Sequence, residues 1–254
     1  MINILLTGCN GRMGKAVVQS VSTNERCNIV AGVDVCATKE ITEYPQFVAI
    51  DEFKGNFDVI VDFSFHTATE GILNYAIEKN IPVVIATTGH TAEETEYIRS
   101  AATKIPVFYS RNMSLGINLL IALAKKACSS LGEAYDIEII EKHHNQKLDA
   151  PSGTALMIAD ALKDTRECET EYVYNRQPVK QKRKSTEIGI HAVRGGTIVG
   201  EHEVIFAGMD EVITLSHSAA SRNVFAEGAV RAAEFMVGKS AGLYDMNDIV
   251  NSII

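Results

Sequence analysis

From residue 1 to about 112 the chain alternates short, near-continuous apolar runs with stretches whose apolar residues recur at helical spacing. The runs are Ile2–Thr7, Asn28–Val33, Phe47–Ile50, Asp58–Phe63, Pro82–Ala86 and Val107–Tyr109. Runs with little alternation predict strands covered on both faces. Between them, Gly11–Ser22 places Val17 and Val18 on one side. Thr67–Lys79 does the same with Ile72, Leu73, Ala76 and Ile77. Thr91 followed by Glu94 reads as a capping box that opens a third helix. Strand and helix in alternation predict a parallel sheet with helices on both faces.

The pattern changes after residue 113. A long apolar helix over Gly116–Ser130 leads into a strand over Tyr135–Glu141, and a second helix runs from about Ser152 to Lys163. Residues 164–186 are polar and charged and read as a solvated excursion. Three strand-like runs follow, Glu187–Arg194, Thr197–Ala207 and Glu211–Ser218. Gly195-Gly196 and Gly208-Met209-Asp210 separate them with hairpin-turn chemistry. An antiparallel or mixed sheet is expected here, hence a second domain. Asn223–Val237 is expected to be a helix able to return to the first domain.

Length and composition narrow the classes. A chain of 254 residues has room for one large or two modest domains and a real buried core. Its formal charge of −8 argues against non-specific nucleic-acid binding, so an anionic ligand must be held by local positive groups. No run approaches the roughly 18 apolar residues of a membrane span, and the N-terminal apolar run is too short for a signal peptide. Five cysteines, at 9, 27, 36, 128 and 168, form no CxxC pair, which suits reduced thiols in the cytoplasm.

The first strand ends in Thr7-Gly8-Cys9-Asn10-Gly11-Arg12-Met13-Gly14. Glycines at such a turn allow a pyrophosphate to come close and the helix to sit tightly on its strand. The helix start offers N–H groups and the positive dipole end to phosphate. Asp34 ends the second strand, 20 residues after Gly14, where a carboxylate can accept from ribose hydroxyls. Val35 and Cys36 follow it and Lys39 is the nearest cation, so a 2′-phosphate lacks an obvious partner and NADH is expected to serve at least as well as NADPH. Ala86-Thr87-Thr88-Gly89 and Ser110-Arg111-Asn112-Met113 follow later strands on the same sheet edge. Their small polar groups suit a nicotinamide carboxamide and ribose, and suit ordinary loops equally.

Residues 141–156, EKHHNQKLDAPSGTAL, carry the other chemistry. Adjacent residues on an extended chain face opposite ways, so His143 and His144 are expected to play different parts. Lys147 adds a fixed cation. Ser152 is placed as an N-cap, which leaves the N–H groups of Gly153 and Thr154 to an anion. No HxxxH pair and no nearby cysteine support a metal site, so none is expected. A titratable ring, an ammonium and a helix start suit a small substrate bearing carboxylates. Beside a nicotinamide, they imply hydride transfer to an electron-poor centre, with a proton from His143 or Lys147.

The segments GCNGRMG (8–14), DFS (62–64), ATTG (86–89), SRNMSLGIN (110–118), EKHHNQKLDAPSGTA (141–155), RGGTIVGEHEV (194–204), SHSAASRNVFAEGAVRAA (216–233) and GLYDM (242–246) resemble the dihydrodipicolinate (4-hydroxy-tetrahydrodipicolinate) reductases, in family order. The resemblance implies a Rossmann-like parallel-sheet domain, residues 1–113 and 222–254, plus a smaller α+β domain with an open mixed sheet, residues 114–221, that binds substrate and joins four subunits. It implies a cofactor site of Gly8, Cys9, Asn10, Gly11, Arg12, Met13, Asp34, Ala86, Thr87, Thr88, Ser110, Arg111, Asn112 and Met113 for NADH or NADPH. His143 and Lys147 would be the catalytic proton donors, and His144, Gly153 and Thr154 would hold a small cyclic dicarboxylate. The implied reaction, in lysine and diaminopimelate biosynthesis, converts 4-hydroxy-tetrahydrodipicolinate to tetrahydrodipicolinate and water. Four positions depart from the family's common pattern: Ala86 stands where Gly is usual, Ser110-Arg111 replaces Ala-Pro, and Val35 stands where a cation often follows the acidic residue.

Two rival readings remain. Tyr75 and Lys79 have the YxxxK spacing of short-chain dehydrogenases, though early in the chain and inside a crossover helix, where chance spacing explains them. A non-catalytic dinucleotide sensor would have no use for His143, Lys147 and the helix start together.

Overall fold

The structure is a computed structural model, and it describes residues 1–38, 43–178 and 180–253. In chain order the first elements are β1 (Ile2–Thr7), α1 (Arg12–Ser22), β2 (Cys27–Val33), β3 (Gln46–Phe47), β4 (Val59–Asp62), α2 (Thr69–Lys79), β5 (Val83–Ile85), α3 (Ala92–Ala102) and β6 (Pro106–Tyr109). Then come α4 (Leu115–Leu131), β7 (Asp136–His143), α5 (Gly153–Lys163), β8 (Glu171–Val173), β9 (Glu187–Arg194), β10 (Gly200–Ala207) and β11 (Val212–Ala219). The chain closes with α6 (Asn223–Met236), β12 (Gly242–Tyr244) and α7 (Met246–Ile253). Two compact units result, Met1–Leu115 with Arg222–Ile254, and Gly116–Ser221.

The first unit is built on a seven-stranded parallel sheet in the order β12-β6-β5-β4-β1-β2-β3. Order reverses around β1, so the carboxyl ends of β1 and β4 flank the switch point where such sheets bind ligands. The apolar runs are strands because both of their faces are buried: Ile4, Leu5, Leu6, Val59, Ile60 and Val61 are wholly inaccessible. One face is covered by α1 and α6, with Val17, Ala226 and Ala229 in the core, and the other by α2 and α3, with Leu73 and Ile98. The capping box at Thr91 is present in both directions. The predicted strand Phe47–Ile50 is shorter, because a 3-10 turn over Ile50–Glu52 takes Ile50 out of the edge. Neither β12 nor α7 was foreseen; β12 extends the sheet beyond β6.

The second unit is a mixed five-stranded sheet, order β11-β10-β7-β9-β8, with β7 in the middle. β7 runs parallel to β9 and antiparallel to β10. Its core row, Ile137 and Ile139, meets Ile188, Ile190, Val204 and Phe206 from the neighbouring strands and Leu120, Ile121, Ile158 and Leu162 from α4 and α5.

Three expectations are corrected here. Gly195-Gly196 is not a hairpin turn: β9 and β10 lie on either side of β7, so the connection crosses its end, with Gly195 N–H donating to the His143 carbonyl at 2.9 Å. Gly208-Met209-Asp210 does close a hairpin, between β10 and β11. The charged run 164–186 is not wholly solvated. It supplies edge strand β8, and Arg176 and Arg183 tie it to Glu138 and Glu187 on the sheet. Finally, Leu115–Ala134 has the length and mean hydropathy (1.2) of a membrane-crossing helix, against the reading that no run comes near. Its stripe of Ile117, Leu120, Ile121, Ala124 and Cys128 is turned onto the sheet, while Leu119 and Leu123 on the same helix are exposed.

Candidate active site

In the first unit the turn after β1 is shaped by backbone crowding. Gly8 has φ +73°, and a Cβ there would stand 2.4 Å from the Phe63 carbonyl oxygen. A Cβ on Gly14 would stand 2.2 Å from the Gly8 carbonyl oxygen. Neither position admits a side chain without moving backbone. Asp34, just past β2, accepts from Asn10 N–H at 3.0 Å and from Cys36 N–H at 2.9 Å, so the carboxylate and the turn hold each other. The Asn10 amide in turn donates to the Cys36 carbonyl and to Gln46.

Gly8, Asn10, Gly11 and Asp34 border a cavity of about 700 Å³. Val35 and Phe65 on its rim are 86% and 78% exposed, apolar faces of the kind that take an aromatic base. Crowded glycines, a helix start and a strand-end carboxylate fit a dinucleotide. Cys9 and Met113 turn their side chains into the core and Met13 lies partly buried against it, so they can meet a cofactor mainly through backbone. Burial pushes the Cys9 thiol up to about 11. Arg12 is exposed on the first turn of α1. Lys39 lies outside the described residues.

Ala86–Thr88 and Ser110–Met113 follow β5 and β6. Thr87 is buried and donates to Asp62 at 2.9 Å, and Thr7 donates to the same carboxylate at 2.6 Å. Asp62 is fully buried, yet Ser64 N–H and hydroxyl also donate to it, so its oxygens are well satisfied. It pins the ends of β1, β4 and β5 together. Ser110 donates to the Asn112 carbonyl, and Asn112 accepts from Ser114 N–H. The DFS segment was noticed in the sequence, but this tying role of Asp62 was not. Tyr75 stacks on Phe57 with ring centroids 6.3 Å apart, and its hydroxyl is directed at the Phe53 carbonyl, which accounts for the YxxxK spacing as packing.

In the second unit the site grows out of the core row of β7. Every second residue is buried: Ile137, Ile139, Glu141, His143. The row therefore ends in a carboxylate and an imidazole placed where apolar side chains would continue. Glu141 is fully buried and receives four hydrogen bonds. His143 Nδ1 lies 2.6 Å from its Oε2, Arg194 donates to both oxygens at 2.7 Å, and Ser152 N–H donates to Oε1 at 2.9 Å. Burial by itself would raise the Glu141 carboxyl; the hydrogen bonds from Arg194, His143 and Ser152 outweigh it and hold it below the usual carboxylate range. Arg194 stands beside His143 in the β7–β9 register, so the pairing of strands delivers the guanidinium. A Cβ on Gly200 would stand 3.1 Å from His143 Nε2, so the glycine makes room for the ring.

Ser152 is the N-cap of α5, its hydroxyl accepting from Ala155 N–H at 3.1 Å. The same hydroxyl lies 3.1 Å from Nε2 of His202, which sits opposite Glu141 on β10. His202 is 4% exposed, and burial first, then the nearby charge of His143, pushes it down to about 4. It is therefore neutral near pH 7, with its ring 5.3 Å from that of His143. His144, one residue past β7, is half-buried. Lys147 pairs with Asp149 at 2.8 Å. The Lys147 ammonium holds the Asp149 carboxyl below the usual carboxylate range. Among the described residues no three His, Cys, Asp or Glu side chains converge as a metal site.

Sequence reading thus reached His143, His144, Lys147 and the α5 start, and missed Glu141, Arg194 and His202. The period of two along β7 was the signal for Glu141: it shares a face with Ile137 and Ile139.

The parallel sheet with its glycine turn and strand-end carboxylate has the features of a dinucleotide-binding unit, and the mixed-sheet unit carries a buried carboxylate–imidazole pair. Two family models cover the chain: "Dihydrodipicolinate reductase, N-terminus" over residues 2–113 and "Dihydrodipicolinate reductase, C-terminus" over residues 116–250. The chain belongs to the dihydrodipicolinate reductase family. It is 53% identical over 250 residues to the 4-hydroxy-tetrahydrodipicolinate reductase of Caldanaerobacter subterraneus subsp. tengcongensis, covering 98% of each chain. It is 50% identical over 252 residues to that of Clostridium novyi, covering 99% of each. The fold matches the dipicolinate-bound dihydrodipicolinate reductase from Paenisporosarcina sp. TG-14 with TM-score 0.82 and 26% identity, covering 97% of this chain and 99% of that one.

Proposed function

We propose that the chain reduces 4-hydroxy-tetrahydrodipicolinate to tetrahydrodipicolinate, with water released, in lysine and diaminopimelate biosynthesis, and that His143 and Lys147 are its proton donors. When bound, NADH or NADPH supplies the hydride. The observation that carries the reading is the fourfold clamp on Glu141. Through Nδ1 it fixes the His143 ring and leaves Nε2 as the face that can give a proton. Through the Ser152 N–H it fixes the start of α5, where Gly153 and Thr154, with His144, hold the substrate's carboxylate. One buried carboxylate therefore sets the distance between acid and anion site. Lys147 supplies an ammonium beside that helix start, as carboxylate partner or second donor.

The first unit, residues 1–113 and 222–254, binds the dinucleotide, and residues 114–221 bind substrate and join four subunits. Asp34 takes the ribose hydroxyls, and Val35 to Thr38 offer no cation to a 2′-phosphate, so NADH serves at least as well as NADPH. Gly8 to Met13 receive the pyrophosphate, and Ala86 to Thr88 with Ser110 to Met113 receive the nicotinamide end. The enzyme works in the cytoplasm, in keeping with five free cysteines.

The Lys147→Ala variant tests the catalytic reading against a sensor. It should bind NADH as the parent does and lose at least about a hundredfold in turnover. Full turnover in that variant would remove the mechanism.

A further inference from the structure

Two neighbouring strands change character at the same level. The buried row of β7 runs Ile137, Ile139, Glu141, and that of β10 runs Phe206, Val204, His202; these residues pair in that order across the sheet. Both polar ends reach the same residue, Ser152, which is wholly enclosed. Glu141 Oε1 accepts the Ser152 N–H at 2.9 Å, and His202 Nε2 lies 3.1 Å from the Ser152 hydroxyl. The start of α5 is thus gripped from two strands at once.

What each group has left fixes the direction of the second contact. Ser152 Oγ already accepts from Ala155 N–H at 3.1 Å. Its own proton needs an acceptor, and among the described residues His202 Nε2 is the one within reach. A neutral imidazole has one accepting nitrogen and one N–H. The hydroxyl therefore donates to Nε2, and His202 carries its proton on Nδ1. That Nδ1 is buried and meets no partner among the described residues. A leucine at 202 would continue the apolar row of β10 without this cost. Packing does not account for the imidazole; the contact with Ser152 does.

We propose that His202 is a positioning residue for substrate binding: it accepts the Ser152 hydroxyl proton and, with Glu141, holds the first turn of α5 where that turn receives the substrate's carboxylate. The idea rests on the assignment of Gly153 and Thr154 to that carboxylate. Glu141 fixes the main chain of the serine and His202 fixes its side chain. Together they set an Oγ lone pair toward the Ala155 N–H, the bond that caps the helix. His202 acts through Ser152 and gives no proton. Its loss therefore weakens substrate binding and leaves nucleotide affinity unchanged.

The test is calorimetric titration of the full-length enzyme, with NADH present, using pyridine-2,6-dicarboxylate as the probe. His202→Leu keeps the bulk and removes the acceptor, and should bind the probe about tenfold more weakly, the worth of a buried hydrogen bond. His202→Gln, whose amide oxygen reaches about as far as Nε2, should stay within about threefold of the parent. Ser152→Ala should cost at least as much as His202→Leu, and adding the second change to the first should cost little more, because both remove one bond. Parental probe affinity in His202→Leu, equal losses in His202→Gln and His202→Leu, losses that multiply in the double variant, or a matching loss of NADH affinity each overturn the inference. Should His202→Leu not fold, His202→Asn, whose amide stops short of Ser152, takes its place with the same expectation. Gly153→Pro separates the two readings: it removes an N–H assigned to the carboxylate, at a first helical position that suits proline and where a side chain has room. If it weakens probe binding while His202→Leu does not, the positioning role fails and the site assignment stands. If Gly153→Pro leaves affinity unchanged, the site assignment fails and the positioning role falls with it.

Discussion

His143 Nδ1 and Glu141 Oε2 lie 2.6 Å apart on the core face of one strand, beneath a guanidinium that neutralises the pair. The carboxylate is wholly shielded and the ring nearly so. The Glu141→Gln variant removes the buried charge and leaves the partly buried Arg194 without its carboxylate partner. Breaking such a pair should destabilise the protein by about 3 kcal/mol. Urea unfolding of the two proteins checks it. A loss below about 1 kcal/mol would mean the pair is better solvated than its burial indicates.

His202 gives the protein a pH-sensitive stability. Burial and the charges of His143, His217 and Lys147 push it down to about 4, while Glu141 pulls the other way. In the unfolded chain a histidine titrates near 6.5. Between those values the unfolded state binds the extra proton, so stability rises with pH there. The contribution is complete above about pH 6.5 and is lost as pH falls toward 4, a change of about 3 kcal/mol. Denaturant midpoints at several pH values should fall along that window in the parent. They should fall less in His202→Gln.

Asp34 is the cofactor prediction. Its carboxylate is engaged by two backbone N–H groups and still has lone pairs facing the cavity side of the turn. Asp34→Ala should weaken NADH by about tenfold or more, the value of a hydrogen-bonded charge. NADPH should be weakened less, because the carboxylate repels its phosphate. Fluorescence titration of both nucleotides reads the ratio. An unchanged ratio would take the ribose away from Asp34.

The parallel sheet was legible because its strands are buried on both sides, so Ile4-Leu5-Leu6 and Val59-Ile60-Val61 announce themselves as unbroken apolar runs. The glycine turn was legible because crowding at Gly8 and Gly14 leaves a residue-type signature. β12 was not legible: three residues, Gly242, Leu243 and Tyr244, gain their strand character from pairing with β6, a contact distant in sequence. The Gly195-Gly196 connection was misread because a glycine pair marks a turn without saying which strands it joins. In the site, His143 and Lys147 stand out as chemical residue types in one short segment. Arg194 and His202 do not, because only the register of β9 and β10 on β7 brings them to Glu141.

The central claim is that His143, oriented by Glu141, gives the proton. Steady-state kinetics of His143→Gln, with nucleotide binding measured in parallel, tests it most directly. The account predicts turnover lower by about 10²-fold or more with NADH affinity unchanged. Turnover within a few-fold of the parent would contradict it.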